Sequence, residues 1–174
     1  AVGFKNNVDG GLMVAVNAIR SASATNSFIS VTEDGKVAMF RTGGNPHCHV
    51  ILRGGKSPNY DAASVAACEE ELQKAGLIEN VMIDCSHGNS NKDHRNQKLV
   101  LEEVAEQINN GNKSIIGVML ESNLEEGNQP IPDDLSDLKY GVSITDACID
   151  WSTTETLLRE FAGSLSESLE SRAV

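Results

Sequence analysis

Apolar residues gather into four short, nearly continuous runs that alternate with longer segments of helical periodicity. The runs read AVGF, HVILRG, VMIDCS and SIIGVMLE and cover residues 1–4, 49–54, 81–86 and 114–121. Runs of this length that are rich in Val, Ile, Leu and Met are typical of strands covered on both faces, as in a parallel sheet. The pattern therefore predicts four buried parallel strands.

Each predicted strand is followed by a segment whose apolar residues recur with helical spacing. These positions are Leu12, Val16 and Ile19 after the first strand, Val65, Cys68, Leu72 and Ala75 after the second, and Leu101, Val104, Ala105 and Ile108 after the third. Gly76 and Gly111 predict the ends of the second and third helices. Ser152 and Glu155 have the spacing of a capping box and predict the start of a fourth helix. The apolar face of that helix is predicted at Leu158, Phe161, Ala162 and Leu165.

The predicted order is β-α-β-α-β-α-β-α, with strands that begin at residues 49, 81 and 114. Repeated units of this size form either a doubly wound sheet or a β/α barrel. A doubly wound nucleotide-binding sheet carries a glycine-rich fingerprint after its first strand, and GFKNNVDGG is neither G-x-G-x-x-G nor a Walker loop. We therefore favour a barrel. Four units make half of an eight-unit barrel, which leaves two open strand edges and uncovered apolar surface.

An extra segment interrupts the first repeat. Residues 27–42, SFISVTEDGKVAMFRT, alternate between apolar and polar residues, turn at Asp34-Gly35, and alternate again. This pattern predicts an inserted β-hairpin. A second interpretation assigns residues 28–31 to the barrel wall instead.

The composition narrows the function classes. The 174 residues suffice for one domain, here taken as residues 1–174, and the net charge is −11. Such an acidic chain disfavours binding to nucleic acid or to an anionic membrane, because both require basic surface. Neither a transmembrane helix nor a signal peptide is predicted. The four cysteines are widely spaced and form no C-x-x-C pair, which predicts reduced thiols in a cytoplasmic protein.

A side chain of a type used in binding sites follows each predicted strand. Lys5, Arg53, His87 and Glu121 hold these positions, and the loop YGVSITDACIDW adds Asp146. The C-terminal ends of the strands carry the chemistry in β/α barrels. Lys and Arg suit phosphate and carboxylate oxygens, whereas one imidazole and two carboxylates suit a divalent metal such as Mn, Fe, Co or Zn. The set predicts a pocket for a phosphorylated anion beside a Lewis-acid metal.

Taken singly, each of these residues has a plainer interpretation. Lys5 fits a solvated strand-end lysine, Arg53 fits a turn anchor, and His87 fits a satisfied strand-end histidine. Glu121 and Asp146 fit carboxylates that cap a helix or a turn. Their recurrence at successive strand ends favours the interpretation as a binding site.

Five motifs resemble those of a known enzyme family: VGFKN, HVILRGG, DCSHGNSNKDHR, IIGVMLESNLEEGNQ and GVSITDACIDW. In this order they resemble successive motifs of class I 3-deoxy-D-arabino-heptulosonate-7-phosphate (DAHP) synthase, phospho-2-dehydro-3-deoxyheptonate aldolase. The resemblance implies a metal-dependent transferase that condenses phosphoenolpyruvate with D-erythrose 4-phosphate to DAHP and phosphate. This reaction is the first step of the shikimate pathway of aromatic amino acid biosynthesis. The implied fold is a TIM (β/α)8 barrel with an inserted hairpin, and this chain matches its second half, strands 5–8.

The resemblance also implies roles for the strand-end residues. Lys5 and Arg53 are expected to bind phosphoenolpyruvate, with Lys5 and His87 also catalytic, and His87, Glu121 and Asp146 are expected to bind the metal. The family's fourth metal ligand is a cysteine on the first strand, in a motif that this chain lacks. The motifs that hold erythrose phosphate in the family's first half are absent as well. The chain is therefore expected to be an inactive C-terminal fragment when alone.

Regulation and assembly are implied by the same resemblance. The family is inhibited by aromatic amino acids at a site built partly by the hairpin, where this chain has Phe28 and Ser30. Ser30 favours the phenylalanine-sensitive type, whereas the motif DCSHGNSNKD favours the tyrosine-sensitive type. The sequence therefore does not decide which amino acid inhibits. Family members form homodimers and homotetramers.

Two alternatives compete with this interpretation. One is the related phosphoenolpyruvate-condensing enzyme that makes an eight-carbon sugar-acid phosphate, although the hairpin and SITDACIDW argue against it. The other is a non-catalytic barrel fragment that persists only by pairing with its missing N-terminal half, since an open half barrel exposes strand edges.

Overall fold

The computed structural model describes residues 1–171, which form an α/β structure. The strands are β1 (Val2–Lys5), β2 (Asn26–Val31), β3 (Val37–Thr42), β4 (Cys48–Leu52), β5 (Val81–Asp84) and β6 (Ile115–Met119). The helices are α1 (Met13–Ser23), α2 (Ala62–Lys74), α3 (Gln97–Asn109) and α4 (Trp151–Glu170). Short 3₁₀ turns lie at His94–Asn96 and Leu135–Asp137. The predicted α/β class with a parallel sheet is confirmed.

Four strands form one parallel sheet in the order β1-β4-β5-β6. Lys5 pairs with Ile51, and Asp84 pairs with Met119, so the carboxyl ends of the strands lie along one edge of the sheet. Every residue of β4 is buried, as predicted for a strand covered on both faces. The outer strands β1 and β6 are only partly buried, because each lacks a neighbour on one side. Within the described residues the sheet stays open and no barrel closes.

The predicted hairpin region contains a two-stranded antiparallel sheet formed by β2 and β3. Phe28 pairs with Phe40 across the hairpin, and their rings stack with centroids 5.9 Å apart. The two strands form a sheet of their own and do not join the four-stranded sheet. The alternative that placed residues 28–31 in the barrel wall is therefore wrong for this structure.

The core lies between the parallel sheet and the helices that follow its strands. The helices α1, α2 and α3 bury the residues that the helical spacing predicted, among them Val16, Ile19, Val65, Cys68, Leu72, Leu101, Val104 and Ile108. Helix α2 begins at the N-cap Asp61, whose carboxylate accepts a hydrogen bond from the Ser64 N–H at 3.0 Å. Gly76 and Gly111 follow α2 and α3 with positive φ angles, as expected for helix stops.

The start of α4 differs from the prediction. Asp150 is the N-cap, and its carboxylate accepts from the Thr153 N–H at 2.7 Å. Ser152 and Glu155 form no capping box, because Ser152 already lies in the first turn and Glu155 pairs with Arg159. The N-cap therefore lies two residues earlier than predicted, at a side chain that already satisfies the free Thr153 N–H.

The buried face of α4 also differs. Thr154, Leu157 and Leu165 are buried and Phe161 is half-buried, whereas Leu158 and Ala162 are exposed. The predicted face was therefore right for Phe161 and Leu165 and wrong for the other two. None of the helices in residues 1–171 is both long and apolar enough to cross a membrane.

Candidate active site

Buried asparagine side chains connect the carboxyl ends of β1, β4 and β5. Asn6 Nδ2 donates to the carbonyl of Gly54 at 2.9 Å, and its Oδ1 accepts from the Arg53 N–H at 2.8 Å. Asn89 Nδ2 donates to the carbonyl of Asp84 at 2.8 Å and to the carbonyl of the last residue of β4 at 3.0 Å. Both amides are almost fully buried. These satisfied buried hydrogen bonds fix the strand ends relative to one another.

The loop after β5 holds His87 in an uncommon backbone conformation. Its φ angle is 51°, in the left-handed region that non-glycine residues adopt rarely. The Lys92 N–H donates to the His87 carbonyl at 2.8 Å, and the Gly88 N–H donates to the Arg53 carbonyl at 3.0 Å. Strained backbone of this kind persists where surrounding contacts fix it, and it concentrates at functional sites.

His87 lies between the two carboxylates that the sequence assigned to a metal. Its Nε2 is 3.3 Å from Asp146 Oδ2 and 3.8 Å from Glu121 Oε1. One ligand atom from each of the three residues lies within 4.8 Å of the other two. One imidazole nitrogen facing two carboxylate oxygens is a donor set that suits divalent Mn, Fe, Co or Zn. The residues present therefore fit a divalent ion with three protein ligands.

Asp84 connects this cluster to the predicted substrate lysine. The Asp84 side chain is completely buried, and its Oδ2 lies 2.8 Å from Lys5 Nζ and 2.9 Å from His87 Nδ1. Its Oδ1 accepts from the Ser86 N–H at 2.9 Å. The approach of His87 Nδ1 is not aligned for a hydrogen bond, and this buried nitrogen has no hydrogen-bond partner among the described residues. One oxygen atom thus faces both predicted site residues.

Glu121 is placed by contacts to its backbone. Gln97, the first residue of α3, donates from Nε2 to the Glu121 carbonyl at 3.0 Å, and its Oε1 accepts from the Glu121 N–H at 2.8 Å. The Ile149 N–H also donates to the Glu121 carbonyl at 3.0 Å. This last contact brings the segment before α4 back to the end of β6. Asp146 lies in that segment, which explains its proximity to Glu121.

Arg53 and His87 line a cavity of about 290 Å³. The other lining residues are Ser86, Gly88, Lys92, Asp146 and Ala147. Lys92 adds a second cation beside Arg53, so the cavity presents positive charge to an anion next to the carboxylate cluster. Lys5 is not among the described residues that line this cavity, and it reaches His87 only through Asp84.

The cysteines stay outside the cluster. All four are free and buried. Burial raises the pKa of the Cys85 thiol to about 12, with the Asp84 carboxylate as a smaller cause, and burial also raises the pKa of Cys148. Both thiols are therefore harder to ionise than an ordinary thiol. Within residues 1–171 the cluster has three ligands and no cysteine.

Three residues of the site were missed by sequence reasoning. Asp84 carried a usable signal, because it is a carboxylate inside the apolar run VMIDCS. Lys92 and Gln97 had no comparable signal, since one follows an Asn-rich loop and the other begins a helix. The place of each in the site depends on contacts with parts of the chain that are distant in sequence.

The two residues predicted for inhibitor binding lie in the hairpin. Phe28 and Ser30 are both exposed on β2, and their spacing of two places them on one face of the hairpin. Ser30 pairs with Ala38 across the hairpin. Both belong to the two-stranded sheet. The cluster of His87, Glu121 and Asp146 lies instead at the strand ends of the parallel sheet.

Comparisons with known proteins agree with the fold. Residues 1–159 match the model of the DAHP synthetase I family. A tyrosine-sensitive phospho-2-dehydro-3-deoxyheptonate aldolase from Salmonella typhimurium is 56% identical over 98% of this chain. A phenylalanine-sensitive one from Escherichia coli is 52% identical over 94% of it. The solved structure of the Francisella tularensis aldolase matches with a TM-score of 0.84 and 46% identity over 94% of the chain.

Acids, an imidazole and cations at the carboxyl ends of parallel strands place this chain among α/β proteins with a candidate ligand-binding site at that edge of the sheet. Within that class, this chain belongs to the DAHP synthetase I family. It spans about half the length of the relatives it matches, with 48% of the Salmonella typhimurium protein and 48% of the Francisella tularensis chain covered.

Proposed function

We propose that the protein to which this chain belongs condenses phosphoenolpyruvate with D-erythrose 4-phosphate to give DAHP and phosphate. The observation that carries the proposal is the cluster of His87, Glu121 and Asp146 beside a cavity lined by Arg53. The names of the relatives, phospho-2-dehydro-3-deoxyheptonate aldolases, support this reaction. Together they favour the seven-carbon product over the eight-carbon sugar-acid phosphate of the alternative enzyme.

The metal subsite is assigned to His87, Glu121 and Asp146. A divalent ion bound there would supply Lewis-acid polarisation of the sugar aldehyde. The ligand set has three members, and the fourth is assigned to a residue outside this chain. The 64% exposure of the Asp146 side chain supports that assignment, because it leaves one side of the cluster open to further protein.

The cations bind and orient phosphoenolpyruvate. Arg53 offers a planar pair of donors to phosphate oxygens, and Lys5 offers a compact positive charge fixed by Asp84. Orienting the two substrates so that C3 of phosphoenolpyruvate faces the aldehyde carbon accounts for a large part of the expected rate enhancement. Water then adds at C2 and the phosphate leaves. The same cations stabilise the negative charge of the departing phosphate.

The parallel sheet is assigned to strands 5–8 of a TIM (β/α)8 barrel. The open edges of β1 and β6, together with the 48% coverage of the relatives, support a complete barrel made with a further half. A second candidate state is a fragment that has no activity until it pairs with that half. It is favoured by exposed apolar side chains on the elements at the two ends of the sheet, Val2, Val14, Ile116 and Leu158.

Regulation, assembly and location complete the proposal. The relatives named tyrosine- and phenylalanine-sensitive support feedback inhibition by an aromatic amino acid, with Phe28 and Ser30 as contacts. A homodimer or homotetramer in the cytoplasm is proposed, and the four free thiols are compatible with a reducing compartment.

The test uses the full-length protein with either His87 or His94 replaced by alanine. His94 begins the 3₁₀ turn that follows the His87 loop and lies outside the cluster, so H94A is the matched control. We expect H87A to lose bound metal and DAHP formation, and H94A to keep both. Normal metal content and activity in H87A would contradict the assignment. Replacing erythrose 4-phosphate by arabinose 5-phosphate separates the two sugar-phosphate reactions.

A further inference from the structure

Asp84 is a buried charged residue of this site to which the proposed function gives no role toward His87. Its side chain has no exposed surface, although a buried carboxylate is costly unless it is paired and hydrogen-bonded. Oδ1 is satisfied by the Ser86 N–H. Oδ2 is turned toward Lys5 Nζ and His87 Nδ1, at 2.8 Å and 2.9 Å.

The position of Asp84 in the chain accounts for these contacts. It is the last residue of β5 and pairs with Met119 of β6, so its backbone is fixed within the sheet. Asn89 Nδ2 donates to its carbonyl at 2.8 Å, which fixes the loop that carries His87 to the same residue. The carboxylate therefore projects from a rigid element, whereas Lys5 is a long side chain that is 35% exposed.

The shortest carboxylate contact of the His87 ring is at Nδ1, which favours the tautomer with its proton on that nitrogen. If Nδ1 lacked a proton, two electron-rich atoms would lie 2.9 Å apart, which is repulsive even though the ring is not aligned for a hydrogen bond. With the proton on Nδ1, the contact becomes attractive, and Nε2 presents its lone pair toward Glu121 and Asp146. A carboxylate behind a ligating histidine orients the ring and raises its basicity as a ligand.

We propose that Asp84 is a positioning residue that holds Lys5 and His87 with a single oxygen atom, and so fixes the substrate cation and the metal-binding imidazole relative to each other. The inference rests on the proposed function, because it assigns Asp84 a role toward the metal and phosphoenolpyruvate subsites. Asp84 touches neither substrate in this role and acts only through the two side chains.

The first test needs no substitution. Long-range ¹⁵N–¹H spectra of histidine-labelled, metal-free full-length protein report which ring nitrogen of the neutral His87 carries the proton. A proton on Nδ1 is expected. A proton on Nε2 overturns the proposal, and this result does not depend on whether any variant folds.

The second test compares Asp84→Asn with Asp93→Asn in the full-length protein, with Mn²⁺ alone as the probe. Asp93 is a loop carboxylate that pairs with exposed Arg95 and lies outside the cluster. We expect the Mn²⁺ dissociation constant to rise by about 10- to 100-fold in D84N and to stay unchanged in D93N. The KM for phosphoenolpyruvate should rise in D84N as well, because the asparagine amide would turn an N–H group toward Lys5.

An unchanged Mn²⁺ affinity in a D84N protein with a native circular dichroism spectrum overturns the proposal. His87→Ala separates this failure from failure of the proposed function. If H87A loses Mn²⁺ and D84N does not, only the positioning role is wrong. If H87A keeps Mn²⁺, the metal subsite itself is wrong.

Discussion

Gln97 holds both backbone polar groups of Glu121 with one side chain. Its Nε2 donates to the Glu121 carbonyl at 3.0 Å, and its Oε1 accepts from the Glu121 N–H at 2.8 Å. Gln97 is completely buried at the start of α3, and Glu121 follows β6. The relationship connects a helix to a strand end and sets where a candidate metal ligand can lie.

Replacing Gln97 with methionine should therefore damage both stability and the site. The Glu121 N–H would lose its partner, whereas its carbonyl keeps the Ile149 N–H at 3.0 Å. An unsatisfied buried donor costs about 1–3 kcal/mol, so the urea-unfolding free energy of Q97M should fall by that amount. The Mn²⁺ affinity of the full-length protein should fall as well, since Glu121 is no longer fixed.

A second buried glutamine provides the matched control for this variant. Gln107 donates to the Tyr60 carbonyl at 2.8 Å and lies in α3 away from the cluster. Q107M should lose stability and keep its Mn²⁺ affinity. If Q97M binds Mn²⁺ as tightly as the unmodified protein, the contact does not position Glu121.

Gly54 and Gly88 approach each other closely, which makes Gly54→Ala a test of how the loops after β4 and β5 pack. A Cβ on Gly54 would lie 2.5 Å from the Gly88 carbonyl carbon, and Gly54 has φ of +75°. Because backbone cannot move aside as a flexible side chain can, G54A should lose stability and shift the neighbouring Arg53. Chemical unfolding and the KM for phosphoenolpyruvate measure the two effects.

Gly76→Ala measures the cost of a left-handed backbone conformation in a place where the added methyl group meets no clash. Gly76 has φ of +68°, and an added methyl group would meet open space, with no heavy atom within 4 Å. Its substitution should cost about 1–2 kcal/mol, the penalty of the left-handed conformation alone. Equal losses in G54A and G76A would mean that the Gly54–Gly88 approach relaxes without cost.

The N-cap Asp61 should make part of the stability of α2 dependent on pH. Hydrogen bonds from the Ser64 hydroxyl and N–H hold the pKa of this carboxyl below its usual value of 3.8. A carboxyl whose pKa is lower in the folded state contributes stability that is complete above the unfolded pKa. That contribution is lost as the pH falls below 3.8 toward the folded pKa.

Two substitutions of Asp61 separate capping from charge. D61A should lose about 1 kcal/mol at neutral pH, because the cap is removed. D61N keeps an oxygen acceptor without a titrating group, so its stability relative to the unmodified protein should improve as the pH falls through this window. Thermal unfolding of the three proteins between neutral and acid pH measures both effects. Parallel pH profiles for D61N and the unmodified protein would contradict the assignment.

The parts of the structure that the sequence predicted are those set by local pattern. Strands β4 and β5 were predicted because an unbroken apolar run has few other ways to be buried. The strand-end residues His87 and Glu121 followed from the same runs, since parallel strands end at one edge of the sheet. Asp146 joined these two as a candidate metal ligand because of its residue type and its place after the fourth strand, and the resemblance then implied the same three ligands.

The remaining features depend on contacts between segments distant in the chain. Lys5 and Asp84 are 79 residues apart, and Gln97 and Glu121 are 24 apart. The face of α4 was misplaced for a local reason, because Leu157 and Leu158 are adjacent apolar residues and only packing decides between them. The cap of the same helix was misplaced because Asp150 and Ser152 are both good N-cap residues.

The buried thiols give the last prediction, which concerns Cys68 and Cys85. Neither side chain has exposed surface, and burial raises the pKa of each to about 12. Because only the thiolate is an effective nucleophile, both should react with iodoacetamide far more slowly in the native protein than in the unfolded protein. Mass spectrometry after timed alkylation, with and without denaturant, measures the rates for each cysteine.

Adding Mn²⁺ should leave the alkylation rate of Cys85 unchanged, since the proposed ligand set of His87, Glu121 and Asp146 does not include it. Rapid labelling of native Cys85 that Mn²⁺ suppresses would instead make this thiol a ligand, and the assigned metal subsite would be wrong.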